Sequence, residues 1–171
     1  ISLFSMCRLR NYSLFLVALV VFVERVVSVE WSCTAESPET SGTFTCTNDC
    51  TMTSAGVSVG TDGLSITGDA SLTTITAKTS GDRRHFSVES GRPLTLKWLK
   101  LTGGSRSSDH GGSIYVSGTG STLHATSCVF FLNTAYQGGG VFNSDGSTLI
   151  QDSIIANNTA VRQGGGIGQY K

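Results

Sequence analysis

The chain has 171 residues, room for about one domain. Its 12 Lys+Arg balance 12 Asp+Glu, which removes any electrostatic case for nucleic acid or an anionic membrane surface. Charged residues are only 14%, but the 39% hydrophobic residues fall in β-type patterns, and Gly 21 against Pro 2 implies tight glycine corners rather than disorder.

Met6 is the first methionine, followed by Arg8 and Arg10 and by the run SLFLVALVVFV from Ser13 to Val23. About eleven apolar residues are too few for a bilayer, which needs roughly 20. A basic start, a short apolar core and the polar exit Glu24-Arg25 predict a secretory signal peptide over residues 1–28. Val26 and Ser28 suit the small positions before a cut after Ser28. Residues 1–5 precede Met6 and read as untranslated sequence.

Export makes the remaining cysteines candidates for bridging. Cys33, Cys46 and Cys50 cluster in a region expected to cap the fold, residues 29–50, and Cys128 lies far downstream. A bridge from Cys33 to Cys46 or to Cys50 is expected. Cys46 and Cys50 have a C-x3-C spacing, but no His or second Cys pair follows at metal-site spacing, so no metal or other cofactor is expected.

Beyond residue 50 the β-like runs are short: SAGVSVG, DGLSITG, LTTITA, HFSVESG and RPLTLKWLKLTGG. Each is bounded by turn residues. Leu94 and Leu96 point to one face while Thr95 and Lys97 point to the other. Two later stretches say nearly the same phrase. NTAYQGGGVFN begins at Asn133, and NNTAVRQGGGIG begins at Asn157. Gly138 to Gly164 is a step of 26, Asn133 to Asn158 is 25, and Gly111 to Gly138 is 27. The intervening STLHATSCVF and STLIQDSII also match.

A period near 26 with short strands predicts an all-β fold, a right-handed parallel β-helix of about five coils over residues 51–171, each coil built of about three strands. On a 26-residue register Leu123 stacks over Leu149, Val141 over Ile167 and Asn133 near Asn158. The repeat motif is then Phe130, Asn133, Gly138, Gly139, Gly140 and Val141, followed one coil on by Ile155, Asn158, Gly164, Gly165, Gly166 and Ile167. Glycine serves corners where the backbone turns sharply and the next coil leaves no space for a Cβ. The Asn is expected to take a left-handed conformation at the other corner and to bond along the rod. The last coil stops at Lys171, so the helix is expected to be incomplete, with further coils C-terminal to it.

Phe130-Phe131-Leu132-Asn133 with Gly138-Gly139-Gly140-Val141 resembles the repeat of chlamydial polymorphic outer membrane proteins, which occurs also in large secreted proteins of other microbes. The second copy departs from it, with Ile155 in place of Phe, and Gly140, Gly166 and Ser113 stand where alanine is usual. The resemblance implies a pectin-lyase-like β-helix on a secreted or cell-surface protein, with a role in adhesion. Any membrane attachment would come through a part beyond residue 171.

The rival reading is a β-helix enzyme cleaving a polysaccharide, similar to pectate lyases or polygalacturonases, whose active-site coils would lie outside this fragment. Hydrolysis needs two carboxylates about 5–10 Å apart. Asp49, Asp62, Asp69, Asp82, Asp109, Asp145 and Asp152 do not stack on one another in the repeat register. In GDRRH, Arg83 or Arg84 could serve a lyase as base with calcium nearby, but only Asp82 adjoins them and Glu89 lies past a strand, so an exposed loop is expected there. Asp109-His110 has no serine in a nucleophile elbow, and His124 reads as a solvent-facing strand residue. The glycine runs lack the Lys-Ser/Thr of a phosphate loop. The expectation is therefore a secreted or cell-surface β-helix module without catalysis, with a structural or adhesive role. Its partner would be a glycan or a protein of a host or neighbouring surface. In a eukaryotic host Asn157-Asn158-Thr159 is an N-glycosylation acceptor at Asn157.

Overall fold

A computed structural model describes residues 29–34, 38–77, 80–81 and 83–170. The expected signal peptide lies outside the described residues. The described residues contain strands and turns and no helix. A short leading strand, β1 (Val29–Glu30), precedes five coils. The first coil holds β2 (Gly42–Cys46), β3 (Cys50–Thr51) and β4 (Val57–Ser58). The second holds β5 (Leu64–Gly68), β6 (Thr73–Thr76) and β7 (Phe86–Val88). The third holds β8 (Pro93–Lys97), β9 (Leu99–Thr102), β10 (Ser105–His110) and β11 (Ile114–Ser117). The fourth holds β12 (Thr122–Thr126), β13 (Val129–Phe131), β14 (Thr134–Gln137) and β15 (Val141–Ser144), and the fifth β16 (Ser147–Gln151), β17 (Ile154–Ala156), β18 (Thr159–Gln163) and β19 (Ile167–Tyr170).

Each strand pairs in parallel with its counterpart one coil away, giving four sheets: β1-β2-β5-β8-β12-β16, β3-β6-β9-β13-β17, β10-β14-β18 and β4-β7-β11-β15-β19. The architecture is the expected parallel β-solenoid. The stacking reaches up into residues 29–50, since β1 already pairs with β2, and β2 with β5. The last three coils carry four strands rather than three, because Ser105–His110 and its two repeats form a sheet of their own.

Alternation decides which side chains enter the rod. In β8 Leu94 and Leu96 are buried and Thr95 is exposed. Inward residues stack in columns. Leu64, Leu94 and Leu123 form one, Ile75, Leu101, Phe130 and Ile155 another, and Val57, Phe86, Ile114, Val141 and Ile167 a third. Burying one such side chain contributes about 1.5–3 kcal/mol. Trp31, Cys33, Cys46 and Met52 continue this core at its N-terminal end.

One stacking expectation fails. Leu123 pairs with Thr148, and Leu149 lies beside His124 on the outer face, 44% exposed. The register from β11 to β15 steps by 27 residues, Ile114 to Val141, whereas that from β12 to β16 steps by 25, Thr122 to Ser147. The corner between β11 and β12 runs from Gly118 to Ser121, and that between β15 and β16 has only Asp145 and Gly146. The shorter corner shifts the phrase Ser-Thr-Leu by one position, which turns every side chain in it over. Val141 over Ile167 and the asparagine pair stand as expected.

Candidate functional site

The glycine corner builds the site from the backbone outward. Gly111, Gly138 and Gly164, the first glycine of each copy, have φ of 66°, 61° and 66°, in the left-handed region. The second and third glycines answer a different demand. A Cβ on Gly139 would collide with the carbonyl oxygens of Gly165 and Thr159, and one on Gly140 with that of Gly166. These glycines let successive coils approach closely, and the amides of Gly139 and Gly140 bond the carbonyls of Gly164 and Gly165 at 3.0 and 3.2 Å.

At the corner that precedes β14 and β18, close to the glycines, the asparagines form a ladder inside the rod. Asn133 Nδ2 donates to Asn158 Oδ1 at 3.0 Å and to the Leu101 carbonyl at 3.1 Å, while its Oδ1 accepts from the Gly104 amide at 2.8 Å. Asn158 Nδ2 donates to the Phe130 carbonyl at 2.9 Å. The left-handed conformation expected of these asparagines belongs instead to the residues before them, Leu132 (φ 54°) and Asn157 (φ 53°). That leaves each asparagine side chain free to turn inward and satisfy backbone groups of two coils. Phe130 and Val141 are buried, Ile155 is half-buried against the core, and Ile167 is 45% exposed. Asn157 is exposed at its corner.

The cysteines resolve to one bridge, Cys33 to Cys50, with Cα atoms 6.4 Å apart. Cys46 and Cys128 are free and buried. Burial, with the charges of Glu30 and Asp49, pushes the Cys46 thiol up to about 11, and burial also raises Cys128. Neither offers a thiolate near neutral pH.

Chemistry-bearing residues gather where the sheets of β7-β11 and β10 meet. A cleft of about 330 Å³ is lined by Arg84, Glu89, Arg106, Asp109 and Tyr115, with Gly56 and Ser58 of the first coil on its wall. GDRRH is thus not the exposed loop expected from its charge. Arg84 and His85 are buried, because Arg83 forms an antiparallel bridge to Ser105 that draws the segment against the third coil. Asp109 Oδ2 accepts hydrogen bonds from Arg84 and from Arg106 Nη2, the latter at 2.5 Å, and Oδ1 accepts the His110 amide at 2.7 Å. Arg84 also lies over the Tyr115 ring, 4.8 Å from its centroid. Burial alone would raise the Asp109 pKa. The Arg106 and His110 hydrogen bonds and the two guanidinium charges outweigh it and hold the carboxyl below its ordinary value. Burial lowers Arg84, opposed by the charge of Asp109.

Beside the cleft the outward face of the glycine corner carries rings. His110 stacks on Phe142 at 4.5 Å between centroids, and Tyr136 and Tyr170 lie 6.2 and 6.3 Å from His110. Tyr115 stacks on Phe142 at 6.1 Å, and Arg162 lies over Tyr136 at 5.8 Å. Tyr170 is exposed, and Tyr136 and His110 are half-buried. His124 is solvent-facing, as expected. Neither the Arg84–Asp109–Arg106 cluster nor this ring surface is marked by a motif in the sequence. Arg84 and Asp109 are 25 residues apart, one coil period, and that spacing was the available signal.

Among the described residues no group of three or more His, Cys, Asp or Glu is placed to hold a metal ion. Comparison with protein-family models, with curated proteins and with solved structures returns no match. The resemblance to polymorphic outer membrane protein repeats therefore rests on the motifs themselves.

Proposed function

We propose that the chain is a secreted or cell-surface β-solenoid module with an adhesive role, and that it engages a glycan through the outer face of the glycine corner without catalysing its cleavage. The observation that carries this reading is the ring surface of His110, Tyr136 and Tyr170, backed by the buried Phe142 ring and set beside a cleft of fixed charges. Aromatic faces pack against the apolar faces of sugar rings, and flanking charged groups bond their hydroxyls. The rings come from three successive coils, which suits an extended chain. Asp109, held ionised by two arginines, is a poor general acid, and this favours binding over hydrolysis. The test is titration of the folded protein against a panel of extended oligosaccharides, together with assay for new reducing or unsaturated ends. Binding that weakens in Tyr136→Ala and Tyr170→Ala, without cleavage, is expected. Absence of binding across the panel, or turnover of any member, would overturn the reading.

A further inference from the structure

Three features of the cleft bear on what it holds. One carboxylate, Asp109, serves two guanidiniums, and its acceptors are taken up by Arg84, Arg106 and the His110 amide. Arg84 is almost wholly buried, its side chain only 8% exposed, so its charge is poorly screened by solvent. Arg106 Nε is buried and has no hydrogen-bond partner, a donor whose desolvation is uncompensated. The other acid on the wall, Glu89, is exposed and belongs to neither ion pair of the cluster. Within the ion-paired cluster two guanidiniums share one carboxylate, and the second carboxylate of the cleft, Glu89, stands apart at its rim.

Resting on the glycan reading above, we infer that the cleft receives one oxyanion, a carboxylate or sulfate, of an acidic saccharide whose next ring lies on the His110–Tyr136–Tyr170 surface. An oxyanion supplies a second negative partner to the two guanidiniums that share Asp109 and accepts from guanidinium N–H groups in a planar fork, which a neutral hydroxyl does less well. The Tyr115 face is already covered by Arg84, so the cleft offers charge, and ring stacking is left to the neighbouring surface. The cleft volume of about 330 Å³ accommodates a monosaccharide-sized group. Glu89 at the rim opposes an incoming anion and tempers its affinity.

The experiment is calorimetric titration of the full chain with neutral, carboxylated and sulfated oligosaccharides of equal length, with sodium sulfate and with an acidic peptide. The acidic saccharides are expected to bind about tenfold or more tightly than the neutral one, with affinity falling as salt rises. Arg106→Gln should reduce them to the neutral level, and Glu89→Gln should tighten them by about two- to fivefold. The change at Glu89 lies on an exposed side chain and has the opposite sign, so it decides the matter even if the Arg106 variant folds poorly. Which of the two acidic saccharides binds tighter names the oxyanion. Equal binding of neutral and acidic saccharides, or a Glu89→Gln variant that binds no tighter, would overturn the oxyanion inference and leave the glycan reading standing. Sulfate or the acidic peptide binding as tightly as the saccharides would overturn the saccharide assignment. Failure of every saccharide to bind would overturn the glycan reading and the inference together.

Discussion

The fourth and fifth coils carry nearly the same words and have different physical surroundings. In the fourth, Leu123, Ala125, Phe130, Ala135 and Val141 are buried to within 1%. In the fifth, the matched residues Ile150, Ile155 and Ala160 are only half-buried, and Ile167 is 45% exposed. The difference is not in composition. Among the described residues, one of the fourth coil is covered by a coil on each side, and one of the fifth by a single coil. In a solenoid burial belongs to the interface between repeats, so the same motif has a different energetic worth in each coil.

Substitutions at matched positions sharpen this contrast, and the largest effect is expected at the glycines. Gly139→Val should cost about 4 kcal/mol, because its side chain would meet the backbone of two segments in the next coil. At Gly165 a Cβ would meet only the Asn158 carbonyl, at 2.9 Å, and Gly165→Val should cost about half as much. Chemical denaturation of the two variants measures the ratio, and equal costs would break the comparison.

Leu123→Ala should cost about 3 kcal/mol, and Leu149→Ala less than about 0.5 kcal/mol. The two leucines occupy the same place in the phrase Ser-Thr-Leu, and only the first faces inward. Similar losses in thermal melts would mean that the one-residue shift between these strands is absent.

His85 probes the doubly covered interior by pH. Its Nε2 donates to the Ile75 carbonyl at 3.1 Å, and its Nδ1 accepts from the Ser113 hydroxyl at 3.1 Å, an arrangement for a neutral ring. Burial lowers its pKa from 6.5 to about 4. The unfolded chain therefore binds more protons than the folded one between these values. The stability that depends on neutral His85 is present above about pH 6.5 and is lost as pH falls toward 4, by about 3 kcal/mol in full. His85→Gln should flatten that slope in urea titrations over the same window. A slope unchanged by the substitution would remove His85 as its source.

The smallest contrast is within the asparagine ladder. Asn133→Ala should cost about 2 kcal/mol, since it strands the Gly104 amide and the Leu101 carbonyl in a buried setting, and Asn158→Ala about 1 kcal/mol. Melting temperatures of the pair give the order, and its reversal would show that the fifth coil is held more firmly than its exposure implies.

The parts of this fold legible in the sequence are those fixed by local backbone geometry. The glycine triplets and the asparagines recur because each coil imposes the same turn and the same close approach, and Gly138 with Gly164 and Asn133 with Asn158 were found at their true spacing. Register across a corner was not legible in the same way. The two-residue corner Asp145-Gly146 matches no feature of the four-residue corner Gly118–Ser121, so text similarity placed Leu149 in a core that it does not enter. The charged cleft was hidden for a related reason. Arg84, Arg106 and Asp109 look like loop and strand residues until the second and third coils are laid side by side, when a single carboxylate is seen to serve two arginines. The ring surface likewise draws on four strands, and no one stretch of chain contains it.

Amide hydrogen exchange resolved by residue tests the central claim most directly. If burial and stability are set by the number of covering coils, amides of the fourth coil's core strands, such as Phe130 and Val141, should exchange only through global opening. Those of Ile155 and Ile167, in the same columns one coil on, should exchange through local opening at least about tenfold faster. Uniform protection of both coils in this 171-residue chain would contradict the account, because it would show that the fifth coil is stabilised by something other than the fourth coil it rests on.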